Sequence, residues 1–108
     1  MAKLIIRNTL QPEWSALIEA RLRFMLGSIL TNIQRVEVDF ISSNGPAGQN
    51  SAYTCMVVVI EHSGERHELH NQQPNPHLAI EGAIARARRA MTRIKRSRSN
   101  GWTKALSL

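Results

Sequence analysis

One cysteine, Cys55, stands in a chain of 108 residues. An internal disulfide is thereby excluded, and a reducing, cytoplasmic setting is expected. No apolar run approaches the ~20 residues of a membrane span. The opening MAKLIIRNTLQPEW lacks the long apolar segment and small-residue cleavage site of a signal peptide. Aromatic side chains are few, namely Trp14, Phe24, Phe40, Tyr53 and Trp102, which argues against an extended platform for stacking bases. The most telling absence is local: after Glu81 the chain has no acidic residue at all.

Catalytic and metal-binding sets are equally thin. Gly45-Pro46-Ala47-Gly48 lacks the lysine and the following helix of a phosphate-binding loop. The histidines are His62, His67, His70 and His77. His67 and His70 are three apart in a segment read as a strand, so they point to opposite faces. No second cysteine and no nearby carboxylate pair completes a ligand set, and no metal or cofactor is expected. Cys55 lies in the most apolar segment and reads as a small core residue. Glu37 and Asp39 share one strand face, where solvation accounts for them. No catalytic residue is expected, and the chain is not read as an enzyme.

What is present has a clear order. Lys3–Asn8 reads as a short strand. Pro12 opens a helix, because its fixed φ and missing N–H suit the first turn. Trp14, Ile18, Leu22, Met25 and Ile29 then recur at helical spacing, and this helix should end near Ile29–Asn32 or earlier at Gly27. RVEVDFI, residues 35–41, alternates as a half-buried strand. Ser42–Asn50 reads as a flexible loop. Tyr53–Ile60 is apolar on both sides and suits a central strand. Ser63-Gly64 turns the chain into Glu65–Asn71, a polar strand best placed at a sheet edge. Asn75 is a candidate N-cap and Pro76 an N1 proline. Ile80, Ile84, Ala87, Met91 and Ile94 mark a last helix running to about Arg96.

The order β-α-β-β-β-α predicts an α+β fold. Two strands joined through a helix lie parallel, with a right-handed crossover. The others form an antiparallel meander, and both amphipathic helices share one face of a four-stranded sheet. Residues 1–96 read as one domain and residues 97–108 as a basic, flexible tail.

The eight basic residues Arg86, Arg88, Arg89, Arg93, Lys95, Arg96, Arg98 and Lys104 give residues 82–108 a charge of +8. Residues 1–81 hold six basic and eight acidic groups, or −2, and the whole chain carries +6. On a helix with Ile80 at zero, Ile84, Ala87, Met91 and Ile94 fall within about 40° of it. Arg86, Arg89, Arg93 and Arg96 fall between about 160° and 240°, as one ridge opposite the core. Arg88 and Lys95 flank the ridge, and Arg98 extends it.

A solvated helix face usually mixes signs in i,i+4 pairs. This one has no acid, and Arg89 and Arg93 repel each other. Such a face suits a polyanion, and arginine's planar fork matches phosphate oxygens. An anionic membrane surface competes as the polyanion. The apolar face of this helix is needed to cover the sheet, however, and it carries no Phe or Trp before Trp102.

The chain resembles the ribosome hibernation-promoting factors, also called ribosome-associated inhibitors or sigma-54 modulation proteins. The element order matches over about residues 3–98. So does the entry to the last helix, Asn75, His77, Ala79-Ile80 and Glu81, and the basic ridge after it. The first helix departs from the family, with only Arg21 and Arg23 beside Glu13 and Glu19. No C-terminal dimerisation domain follows, so the chain reads as a divergent short type.

The resemblance implies a fold similar to double-stranded-RNA-binding domains. It implies a cytoplasmic, stress-response factor that binds small-subunit ribosomal RNA and inhibits translation. Carried over by position, the RNA-facing residues are Arg86, Arg89, Arg93 and Arg96, with Lys95, Arg98 and Arg88 beside them. A protein-binding adaptor that docks an acidic partner through the same face is the alternative reading. The oligomeric state is left open.

Overall fold

Val36, Val38 and Phe40 alternate with Arg35, Glu37 and Asp39. That two-residue period gives one strand a buried face and a charged face. The computed structural model describes the backbone of residues 2–43 and 52–106 and the side chains of residues 2–42 and 52–93. It places this strand, β2 (Ile33–Ser43), inside a four-stranded sheet of order β1-β2-β3-β4. β1 (Lys3–Asn8) runs parallel to β2. β3 (Ala52–Glu61) and β4 (Arg66–Gln73) follow antiparallel.

The register lines up the inward residues in rows. Ile6, Val38, Val57 and Leu69 form one row, and Asn8, Phe40, Cys55 and Asn71 the next. A one-residue slip would send each of these to the charged face, so burial holds the register.

Helix α1 (Pro12–Leu26) joins β1 to β2. It buries Ile18, Leu22 and Leu26, at the spacing that stacks side chains on one helical stripe. Gly27, at φ 47, stops α1, and a 3-10 turn over Gly27–Asn32 leads into β2. Of the two ends read for this helix, the earlier one holds. Helix α2 (Pro76–Leu106) buries Ala79, Ile80, Ala83, Ile84, Ala87 and Met91. These residues and those of α1 belong to one core cluster with β2 and β3. Both helices therefore cover the same face of the sheet.

The start of α2 is fixed by chemistry read from the sequence. Asn75 Oδ1 accepts the backbone N–H of His77 at 2.8 Å and of Leu78 at 3.3 Å. These are donors that a helix N-terminus otherwise leaves without a partner. Its far end is a correction: α2 continues past Arg96 to Leu106. Ser97, Ser99, Asn100 and Gly101 are weak helix formers, but none is a proline, so each taxes the helix without breaking it. The loop reading over Ser42–Asn50 meets a strand that reaches Ser43; residues 44–51 lie outside the described residues.

Asn71 is a buried polar side chain on the core face of β4. Its amide donates to the carbonyls of Leu78 and Ala79 at 2.9 and 3.2 Å, tying β4 to the first turn of α2. The helix comes this close because position 82 is glycine. A Cβ built there collides with the Asn71 amide nitrogen. Gly82→Ala is therefore expected to destabilise the fold by about 1–3 kcal/mol, the cost of overpacking. Helix propensity alone gives the opposite sign. A urea midpoint that rises in this variant would refute the close approach.

Candidate nucleic-acid interface

Once α2 lays its apolar stripe on β3 and β4, the charged side chains it exposes after Glu81, among the described residues, are all basic. Arg88, Arg89 and Arg93 are exposed. Among the described residues none of the three has an ion-pair or hydrogen-bond partner. The structure divides the ridge read from the helical wheel. Arg86 leans over the sheet edge, where its Nη1 donates to the His70 carbonyl at 2.5 Å. Arg88, Arg89 and Arg93 line one shallow hollow with Thr92, and Arg88 and Thr92 also border the groove beside α1. A wheel ranks residues by angle from the core. It carries no information on which neighbouring element each flank meets. The side chains of Lys95, Arg96 and Arg98 lie outside the described residues.

The basic residues of α1 are engaged. Arg21 binds Glu81 of α2 through Nε and Nη2, at 2.5 and 2.9 Å, in a two-pronged pair that clamps the helices together. The same guanidinium sits 5.2 Å from the centre of the Phe24 ring. Arg23 pairs with Glu19 at 3.0 Å, four residues away. The sequence sets Glu13 and Glu19 beside these arginines, and Glu19 does pair with Arg23. The partner of Arg21 is instead Glu81, sixty residues along the chain, a contact that only tertiary packing creates.

The other face of the sheet carries a charged lattice. Arg7 reaches Glu37 at 2.7 Å and Asp39 at 2.9 Å, and Arg35 lies 3.1 Å from Glu37. Solvation alone does not account for Glu37 and Asp39, because the parallel register sets Arg7 opposite Asp39. Val58, on this face and between Glu37 and Glu68, is only 2% exposed; the long charged side chains around it shield it.

The hydrogen bond from Arg7 holds the Glu37 carboxyl below its ordinary range, with the charges of Arg35, Arg7 and Arg66 assisting. A carboxyl depressed in the folded state contributes stability above its unfolded pKa of about 4.3, and that stability is lost as pH falls through the folded value. Urea midpoints should therefore be level above about pH 4.3 and fall below it. Arg7→Ala should make that acid limb shallower; an identical limb in the variant would remove the pair from the account.

Three donors meet over the β3–β4 turn. His67 Nε2 and Glu61 Oε2 are 2.7 Å apart. The ligand atoms of Glu61, Glu65 and His67 all lie within 4.8 Å of one another. This corrects the expectation that no carboxylate pair joins the histidines. The turn through Gly64, at φ 93, folds residues 61 and 65 together. The set has three donors, one fewer than a structural zinc takes. His67 faces the core and His70 the opposite side, as strand alternation requires. Cys55 is fully buried, and burial pushes its thiol up to about 12, so it is no nucleophile at neutral pH. Among the described residues no helix is long and apolar enough to cross a membrane.

No family model matches the sequence, and no curated protein matches it. Solved structures do. A ribosomal subunit interface protein from Coxiella burnetii superposes with a TM-score of 0.70 at 9% identity, over 86% of this chain and 97% of its own. The N-terminal domain of Protein Y from Thermus thermophilus does so with a TM-score of 0.58 at 13% identity, over 87% of this chain and 99% of its own. The β-α-β-β-β-α fold that the resemblance implied over about residues 3–98 is thus met in three dimensions. The parallel β1–β2 pair, the meander and the two helices on one face together form the α+β fold of the ribosomal subunit interface protein.

Proposed function

We propose that this protein is a non-enzymatic, cytoplasmic, ribosome-associated factor of the hibernation type. In this reading α2 binds small-subunit ribosomal RNA and translation is inhibited. The observation that carries it is the set Arg88, Arg89 and Arg93: adjacent, exposed and unpaired among the described residues, on a helix with no acid after Glu81. Cations left without counter-charges within the fold attract an external polyanion and release its counterions on binding. The arginines themselves read backbone phosphates and RNA shape, because a guanidinium pairs with phosphate oxygens whatever the base. The fold shared with a ribosomal subunit interface protein points to the ribosome among structured RNAs. No cofactor is needed for this role.

Sedimentation of a lysate through a sucrose gradient tests it. The protein is expected to travel with 30S or 70S particles at low salt and to leave them at high salt. Migration with a protein complex that resists RNase would replace this reading with that of an adaptor for an acidic partner.

A further inference from the structure

Phe24 is 77% exposed, the most exposed large apolar side chain among the described residues. It lies off the buried stripe of Ile18, Leu22 and Leu26, so the core does not require it. The Arg21 guanidinium covers part of its ring at 5.2 Å, and Glu81 holds that guanidinium from α2. The rest of the ring is open to solvent, where a flat partner can stack on it.

The ring stands in a groove between the end of α1 and the middle of α2. Arg21, Met25, Ser28, Arg88 and Thr92 line it with Phe24, and its volume is about 510 Å³, within the range of small-ligand pockets. The groove does not end there. Arg88 and Thr92 also line the adjoining hollow with Arg89 and Arg93. An aromatic ring at one end and three unpaired arginines at the other make a two-part surface. The first part suits a flat π-system, and the second suits phosphates.

We propose that this groove binds one unpaired nucleotide of the RNA, its base stacked on Phe24 and its flanking phosphates on Arg88, Arg89 and Arg93. The inference rests on the reading of α2 as an RNA-binding element and adds a preference to it. A base inside a duplex is covered on both faces by its neighbours and cannot reach the ring. The groove therefore favours RNA with a loop, bulge or end where a base is free. The arginines bind any phosphate backbone, whereas Phe24 distinguishes where on the RNA the protein settles.

The test compares a hairpin RNA that has an unpaired loop with a blunt duplex of equal length, by fluorescence anisotropy. Phe24→Ala is expected to weaken hairpin binding about 5- to 150-fold, the worth of one stacked base. Its duplex affinity and its salt slope should not change, because no charge is removed. Phe24→Trp should restore hairpin binding. A 2-aminopurine placed in the loop should be quenched by the wild type and not by Phe24→Ala. The side chain is exposed, so both variants should melt as the wild type does.

Equal hairpin affinity in Phe24→Ala, with the arginines still setting the salt slope, would overturn the base site and leave the RNA reading standing. Failure of the wild type to bind either RNA would overturn both. Loss of a ribosomal protein contact in Phe24→Ala, with hairpin affinity intact, would reassign the ring to a protein partner and overturn the proposal.

Discussion

Replacing Arg88, Arg89 and Arg93 together with alanine is expected to flatten the log–log dependence of RNA affinity on salt by about 2–3 units. Each phosphate contact releases roughly 0.7–0.9 of a counterion, so three contacts set that range. At low salt the loss should be of order 100-fold or more, since a charge-assisted contact contributes about 1 kcal/mol or more. It should be uniform across RNA sequences, because phosphates carry no base information. Folding should survive. The three side chains are exposed, alanine favours the helix, and the repulsion between Arg89 and Arg93 disappears. Arg86→Ala should cost much less, since that guanidinium already donates to the His70 carbonyl. A triple variant that folds normally and keeps its salt slope would show that α2 is not the element facing RNA.

Ile84→Ala should lower stability by about 2–5 kcal/mol without touching the basic surface. Ile84 is 0% exposed and belongs to the core that α2 shares with β2 and β3. Removing its outer atoms forfeits their burial and leaves a cavity that its neighbours only partly fill. For a domain with roughly 5–15 kcal/mol in total, this is a large fraction. The melting temperature should fall by more than about 10 °C. A change below about 0.5 kcal/mol, the ordinary range for surface positions, would mean that this face of α2 is not packed on the sheet.

The two variants probe opposite sides of one helix, and the sequence announces those sides unequally. Ile80, Ile84, Ala87 and Met91 recur at helical spacing, and all four are buried. Burial follows a period, and a period is legible in one dimension. The parallel pairing of β1 with β2 was legible too, because a strand–helix–strand order leaves few alternatives. Partnerships between distant residues were not. Arg21 with Glu81, Arg7 with Glu37, and the gathering of Glu61, Glu65 and His67 depend on register and on helix rotation. The place of Phe24 off the apolar stripe of α1 was legible, whereas its nearness to Arg88 of α2 was not. The reach of α2 to Leu106 escaped because propensity weighs residues singly, while helix growth beyond a formed turn is cooperative.

The order of elements also bears on synthesis. A ribosome makes this chain from β1 onward, and α2 follows all four strands. Until α2 arrives, the sheet lacks Ala79, Ile80, Ala83, Ile84, Ala87 and Met91 over β3 and β4. A nascent chain ending at β4 would present a bare apolar face and none of the basic residues that follow Glu81. The same helix thus closes the core and supplies the arginines, so no intermediate of synthesis has the basic surface without the means to complete the core. Truncation ahead of Ala79 removes the buried stripe of α2 and all eight basic residues together. A proteolytic cut between β4 and α2 would uncover the core and detach the basic surface at once.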